Sequence, residues 1–339
     1  MIAKLEPRLN PPADPADELA IVTDPASLIE HLGTGCVSDP TKIRVSKRFP
    51  LRVSRSFLNR IAPGHLHDPL LLQVLPQAAE LEPGAPGLLD PLGETNRRTS
   101  PRLIRKYRGR ALLLASAECS IHCRYCFRQY FPIRTAISED PDCEQAIADL
   151  SADRTIREVI LSGGDPLTLS DRRLAILSRR LASLPHLETL RIHSREPVVR
   201  PARIRESLIR ALGEFPRRRV LVIHANHPNE LVPTVGRSLE RFRRDGFHLL
   251  NQSVLLKGIN DHPDVLEALS EALFSYGVLP YYLHLLDPVQ GSAHFAVPDR
   301  LAVNLVAELR ARLPGYLVPQ LVREIPGASS KTPVTSAAE

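Results

Sequence analysis

ECSIHCRYCFRQYFP, residues 118–132, places three of the chain's five cysteines within eight positions. Cys119, Cys123 and Cys126 follow a C-x3-C-x2-C spacing, with the aromatic Phe127 and the cation Arg128 immediately after. Three thiolates at this spacing can face one point if the backbone wraps as a loop. A structural zinc site usually takes four ligands, often as two C-x2-C pairs. No second pair exists here, and a fourth ligand would have to be Cys36, Cys143 or a histidine, none at a usual zinc offset. An iron–sulfur cube has four irons, and three thiolates hold three of them and leave one open to an external ligand. An open iron is useless for structure and useful for chemistry.

Outward from this stretch, short apolar or β-branched runs alternate with helix-length amphipathic segments. The runs are ALLLAS (111–116), EVILSGG (158–164), ETLRIHS (188–194), VLVIHAN (220–226), HLLNQSVLL (248–256) and LPYYLHLL (279–286). Helices are expected near 142–151, 170–183, 201–214, 233–245, 263–276 and 298–312. Ser170 and Asp171 open the second, and Asp261 precedes Pro263 at the fifth, which is capping chemistry. Strand–helix alternation of this kind predicts an α/β fold with a parallel sheet and helices outside. Nearly every run ends in polar residues, among them Asp165, Arg195, His224, Asn226, His284 and Asp287. Ligands of parallel β/α sheets bind at the carboxyl ends of strands, so these tips are expected to share one mouth.

Residues 1–100 are rich in proline and loop signals, with helices expected near 26–33, 54–62 and 69–75 and an irregular linker over 83–101. The expected organisation is a helical N-terminal extension (1–100), a core (101–314) and a short C-terminal segment (315–339).

The chain has 339 residues, 43% of them hydrophobic and 24% charged, which suits one large α/β domain or two smaller ones and excludes a disordered chain. No apolar run of membrane-spanning length and no secretory leader is evident, so a cytoplasmic location is expected. Five cysteines in a chain of this size do not make a disulfide scaffold, and Cys36 and Cys143 read as ordinary reduced side chains. The formal charge of +6 comes from arginines spread along the chain, with short runs at Arg217–Arg219 and Arg243–Arg244. Such runs usually lie on a solvated helix face or in a loop, and an acidic partner or anionic cofactors fit the excess as well as nucleic acid would. No direct nucleic-acid contact is expected.

C-x3-C-x2-C followed by an aromatic, placed after the first strand of a βα array, resembles the signature of the radical S-adenosylmethionine superfamily. The likeness goes further. LSGGDPL (161–167), RIHSREPVVRPARI (191–204), HANHPNE (224–230), LLNQSVLLKGIND (249–261), LPYYLHLLDPVQG (279–291) and PGASSKTPV (326–334) resemble segments of the lysine 2,3-aminomutase family, in order. The short length and SRSFLNR (54–60) are most similar to the branch that serves elongation factor P.

The resemblance implies a partial (β/α)6 TIM-like barrel of the radical type, with a C-terminal segment that binds pyridoxal phosphate. It implies an isomerase that converts (S)-α-lysine to (R)-β-lysine, using a 4Fe-4S cluster, S-adenosylmethionine and pyridoxal 5′-phosphate. Implied partners are free L-lysine, an electron donor such as flavodoxin or ferredoxin, and elongation factor P with its lysine ligase. By the same likeness Cys119, Cys123 and Cys126 hold the cluster, and Lys331 holds pyridoxal phosphate. Lys106 and Arg110 match basic positions for its phosphate. Arg128 matches the residue that clasps the substrate α-carboxylate. Asp287 matches one of two acids for the ε-ammonium, and Glu324 stands where the family has an aspartate, keeping the charge with a longer reach. Gly163, Gly164 and Asp165 match a motif that contacts the methionine amino group. His224, Asn226, Asn251, Gln252 and Ser253 are further candidate contacts to adenosylmethionine or pyridoxal phosphate. Two rival readings stay open: a related aminomutase acting on another amino acid, and a non-catalytic metal-binding protein associated with RNA.

Overall fold

The computed structural model describes residues 17–33, 48–82 and 84–335. Cys36 lies outside them. Strands β1 (Ile21–Val22) and β2 (Val53–Ser54) form a small antiparallel pair. Helices α1 (Pro25–Leu32), α2 (Arg55–Leu58) and α3 (Pro69–Leu72) accompany it. Each helix opens on a side-chain cap, from Asp24, Ser54 and Asp68 respectively. The second and third are shorter than their apolar patterns suggest, one turn each.

The rest of the chain builds one sheet of ten strands in strict sequence order. Strands β3 (Arg98–Ser100), β4 (Leu103–Ile104) and β5 (Arg110–Ser116) run antiparallel. From β5 onward come β6 (Glu158–Gly163), β7 (Thr189–Ser194), β8 (Arg218–Ile223), β9 (His248–Val254), β10 (Leu279–His284) and β11 (Gln320–Arg323), all mutually parallel. Strand β12 (Thr332–Pro333) folds back antiparallel on β11. The six expected runs are thus joined by a seventh parallel strand from the C-terminal segment. Its four residues, QLVR, are too few to show an alternation in the sequence. Strand β3, in the stretch read as an irregular linker, pairs across residue 100 with β4.

Helices α4 (Ile133–Glu139), α5 (Glu144–Ala152), α6 (Asp171–Ala182), α7 (Glu196–Val199), α8 (Glu206–Gly213), α9 (Pro233–Arg244), α10 (Pro263–Ser275) and α11 (Asp299–Arg312) lie between the strands. The apolar stripes of α5 to α10 meet the outward face of the sheet in one core, where Leu174, Leu181, Leu208, Leu212, Val235 and Leu239 pack on Val159, Leu161, Leu190, Ile192, Leu221 and Ile223. Ser170 caps α6 as expected, its hydroxyl accepting the N–H of Arg173 at 3.3 Å. At α10 the cap is His262 rather than Asp261: the imidazole accepts the N–H of Asp264, while Asp261 takes that of Gly258. Cys143 is a buried free thiol at the start of α5, in the left-handed region with φ 60°. The arginine runs are neutralised locally. Arg218 pairs with Glu188, Arg219 with Asp245, and Arg243 and Arg244 both with Glu240.

The sheet curls without closing. Seven parallel strands laid flat would separate β5 from β11 by six spacings, roughly 29 Å. Yet Lys106, just before β5, bonds Glu324, just after β11, at 2.5 Å. The edges β3 and β12 do not pair, so the result is a partial barrel with a lumen. Among the described residues no helix is long and apolar enough to cross a membrane.

Candidate active site

Strand β5 delivers the chain into the cysteine loop at one rim of the lumen. The loop is tied to the N-terminal layer residue by residue. His122 N–H donates to Arg52 O at 2.8 Å and Arg124 N–H to Gln73 O at 2.9 Å. Arg52 Nε donates to the carbonyl of Cys119 at 2.5 Å. Arg124, 1% exposed, places its guanidinium on Glu80 with Nε–O distances of 3.0 and 3.1 Å, and 4.9 Å from the Phe49 ring centre. Ile121 joins the apolar core of that layer with Phe57, Leu70 and Leu71.

The three thiols sense one another. Burial, then Asp165, then the other two sulfurs raise the Cys119 thiol, and burial with Cys123 pushes Cys126 up to about 11. Metal ligation requires the thiolate, so a bound metal would take the place of these protons. Among the described residues no three Cys, His, Asp or Glu side chains close on a single ion position. Three cysteines with no fourth cysteine at a zinc-like offset suit an iron–sulfur cube, which takes thiolates on three of its four irons. The donor set fits the cube.

At the tip of β6, Gly163 has φ +117°, and a Cβ there would stand 2.5 Å from Ser116 O. A Cβ on Gly164 would stand 2.5 Å from Glu118 O. The sequence points to a ligand approaching these glycines; in the structure the backbone that opens the cysteine loop packs against them. Asp165 is likewise occupied. It accepts the N–H groups of Leu167, Arg195 and Glu196 and the hydroxyl of Ser194, tying β6 to β7. Burial and Glu196 push it up to about 7.

A chain of charge, buried at Glu94 and half-buried elsewhere, crosses the lumen from this loop to the C-terminal hairpin. Arg128 closes its fork on Glu94 at 2.6 and 2.8 Å and turns Nη1 to Ser162 Oγ at 2.9 Å. Glu94 also takes Lys106 at 2.8 Å. Lys106 reaches Glu324 at 2.5 Å, and Glu324 takes Lys331 Nζ at 2.9 Å. The pairing of β11 with β12 is what turns Lys331 back toward Glu324, seven residues earlier. Lys331 Nζ also lies 5.6 Å from the centre of the Tyr282 ring on β10. Burial works against ionising both glutamates. Arg128 and Lys106 outweigh it at Glu94, and Lys331 and Lys106 outweigh it at Glu324, whose carboxyl sits well below the usual range. Asp287, at the same spot, is pushed up to about 7 by burial and by Glu324, with Lys331 and Lys106 opposing.

Strand alternation sorts the remaining candidates. On β9, Gln252 faces the lumen and bonds His224 Nε2 at 2.9 Å. Its neighbours Asn251 and Ser253 point the other way, stitch β9 to Ala225, and line a small gap with Leu266, Leu269 and Leu273 of α10. Asn226 is buried and fully engaged with Gln73, Tyr125 and Val254. Arg110 stacks 5.3 Å from the Tyr107 ring at the start of β5. So Arg128, Lys106, Glu324, Lys331 and Asp287 share one site, with His224 and Gln252 on its wall, while Asn251 and Ser253 stand outside it.

The sequence reading missed Glu94, which lies in a stretch without periodicity and becomes informative only once Arg128 and Lys106 are seen on either side. Of the wall imidazoles, His224 is a contact expected from the sequence, and His284 is among the expected strand tips. Burial keeps His193, His224 and His284 neutral, with His224 pushed down to about 3. The Nε2 atoms of His193 and His284 are buried without a partner. Orphaned polar nitrogens beside Lys331 are what a polar ring such as pyridoxal phosphate would satisfy.

Residues 108–190, from β5 through the cysteine loop to β7, match a family model described as a 4Fe-4S single cluster domain. The chain is 45% identical over 316 residues to the L-lysine 2,3-aminomutase of Escherichia coli, covering 93% of this chain and 92% of that one. It is 42% identical over 311 residues to the enzyme of the same name from Haemophilus influenzae, with 92% of each covered. Against that of Clostridium subterminale it is 36% identical, covering 85% of this chain and 69% of the other. Coproporphyrinogen III oxidase of E. coli, a solved radical SAM structure, covers 66% of this chain and 54% of its own at a TM-score of 0.42 and 13% identity, too loose an overlap to carry a fold assignment. The chain belongs to the L-lysine 2,3-aminomutase family of isomerases.

Proposed function

We propose that this protein moves the amino group of free L-lysine from C2 to C3, giving (R)-β-lysine for the modification of elongation factor P by a lysine ligase in the cytoplasm. The supporting observation is the ion-pair chain from the cysteine loop through Glu324 to Lys331, with one further acid, Asp287, at its far end. Cys119, Cys123 and Cys126 hold a 4Fe-4S cluster, which binds S-adenosylmethionine, and Lys331 holds pyridoxal phosphate. When bound, these groups supply hydrogen-atom abstraction from an unactivated carbon and delocalisation while nitrogen migrates. A flavodoxin or ferredoxin supplies the electron.

The protein's own residues recognise lysine at both ends. Glu324 already holds two ammonium groups, those of Lys106 and Lys331, so its capacity for the substrate's ε-ammonium is on view. Asp287 completes the acidic end. Arg128 presents the only guanidinium of the ion-pair chain to the α-carboxylate. Its fork is closed on Glu94 in the ligand-free protein, so Glu94 sets how much of that charge the substrate meets. Lys106, with Arg110, serves the phosphate.

Anaerobic incubation of reconstituted protein with lysine, adenosylmethionine, pyridoxal phosphate and a reductant tests the proposal. β-Lysine should accumulate, and Cys123→Ala and Lys331→Ala should each abolish it. A colourless protein that holds one zinc and yields no β-lysine would overturn it.

A further inference from the structure

Arg195 stands at the tip of β7, 5% exposed. Its Nη1 donates to Cys123 Sγ at 2.7 Å and to the Tyr125 hydroxyl at 2.9 Å. Its Nη2 donates to Gln73 Oε1 at 2.5 Å and Glu230 Oε2 at 2.9 Å. The guanidinium lies 5.4 Å from the Phe57 ring centre and 5.9 Å from that of Tyr125. Its backbone N–H is fixed too, on Asp165 Oδ2 at 2.7 Å. Glu230 is fully buried, and its other oxygen takes Gln73 Nε2 at 3.1 Å and the Asn226 N–H at 2.9 Å. Three elements (the N-terminal layer, β7 and the turn after β8) therefore hold one cation against one sulfur.

A thiol is a weak acceptor, whereas a thiolate forms a charge-assisted bond with guanidinium. A cysteine that ligates a cluster does so as a thiolate, so with the cluster bound the Arg195 contact would be the charge-assisted kind. Hydrogen bonds to ligand sulfur and nearby charge set cluster potentials, and a cation favours the more negative, reduced state. We propose that Arg195 is a positioning residue that fixes Cys123 and raises the reduction potential of the cluster. This rests on the cluster reading given above. One electron from an external low-potential donor enters the cluster, and no bond of the protein breaks.

The test uses the full chain reconstituted anaerobically with ferrous iron and sulfide. Iron per chain is measured first, then the midpoint potential by dithionite titration followed by electron paramagnetic resonance. Arg195→Gln should load iron through its three intact cysteines. Its equilibrium constant for reduction should fall at least tenfold, which is 59 mV for one electron. Arg195→Lys, which keeps the charge without the fork, should fall less. An unchanged potential in a fully loaded Arg195→Gln protein overturns the inference. Should Arg195→Gln fail to load, Gln73→Met decides, since it loosens Arg195 and touches no sulfur. A smaller negative shift supports the inference, and none overturns it. If the parent protein itself assembles no four-iron cluster, the functional proposal falls first, and this one with it.

Discussion

At Asp287 the cost of burial becomes a pH response. Its pKa of about 7 lies above the ordinary aspartate value, so the folded protein holds a proton there that the unfolded chain releases. Stability from this site is therefore present at low pH and lost as pH rises through about 7. Ammonium binding needs the ionised form, so kcat/KM for lysine should fall as pH drops below about 7. A flat profile between pH 6 and 8 would contradict the role. Asp165 titrates in the same window, but its oxygens are taken by Ser194 and three backbone N–H groups. Asp287→Asn separates the two. It should lower kcat/KM for lysine by on the order of 10²-fold or more and leave the protein no less stable at pH 8. Glu94→Gln makes a different statement. Glu94 is 1% exposed and anchors both Arg128 and Lys106. Removing its charge should cost about 3–5 kcal/mol in urea unfolding, because two buried cations lose their common partner. The cysteines stand out by their spacing, and Lys331 only by the likeness of PGASSKTPV to a family segment. Glu94 does not stand out, and Arg195 is legible only as a polar strand tip, because their partners are remote in sequence.

The elements show how the cysteine loop is given its shape. The tip of β6 lies so close to residues 116–118 that neither Gly163 nor Gly164 has room for a methyl group. Gly163→Ala adds strain at φ +117° to a backbone clash. Either substitution should displace the loop and reduce iron incorporation at least severalfold, measured as iron per chain after reconstitution. Normal loading of both variants would show that the packing is dispensable. The parallel strands and their helices were legible because both periodicities run long there. Six expected helices match α5, α6 and α8 to α11 closely. Strand β11 and helices α4 and α7 were not, each being seven residues or shorter and without a full period of pattern. The side of β9 on which Asn251 and Ser253 fall was readable in principle from alternation with Gln252, but only once the lumen's position was known.

Across the whole molecule, the partial barrel is held in shape by groups from both chain ends. The N-terminal layer grips the outside of the cysteine loop through Arg124 and Glu80, and the C-terminal hairpin closes the lumen through Lys331, Glu324 and Lys106. Glu80→Ala, which leaves the buried Arg124 without its acid, should destabilise the protein by about 3–5 kcal/mol and lower iron loading in parallel. Full stability with full loading would separate the layer from the site. The sequence presents the N-terminal region as an extension because its helices are short and its prolines frequent. Its function as a clamp depends on contacts that span 44 to 157 residues, from Glu80–Arg124 to Gln73–Glu230.

The central claim is that Lys331 and the three cysteines serve one chamber and that Lys331 carries pyridoxal phosphate there. Borohydride reduction of the protein reconstituted with iron, sulfide and pyridoxal phosphate, followed by peptide mapping, tests it most directly. The expected result is one phosphopyridoxyl group on Lys331, displaced when free lysine is added before reduction. A label on Lys106 or on a surface lysine, or none at all on a protein with its cluster intact, would contradict the account.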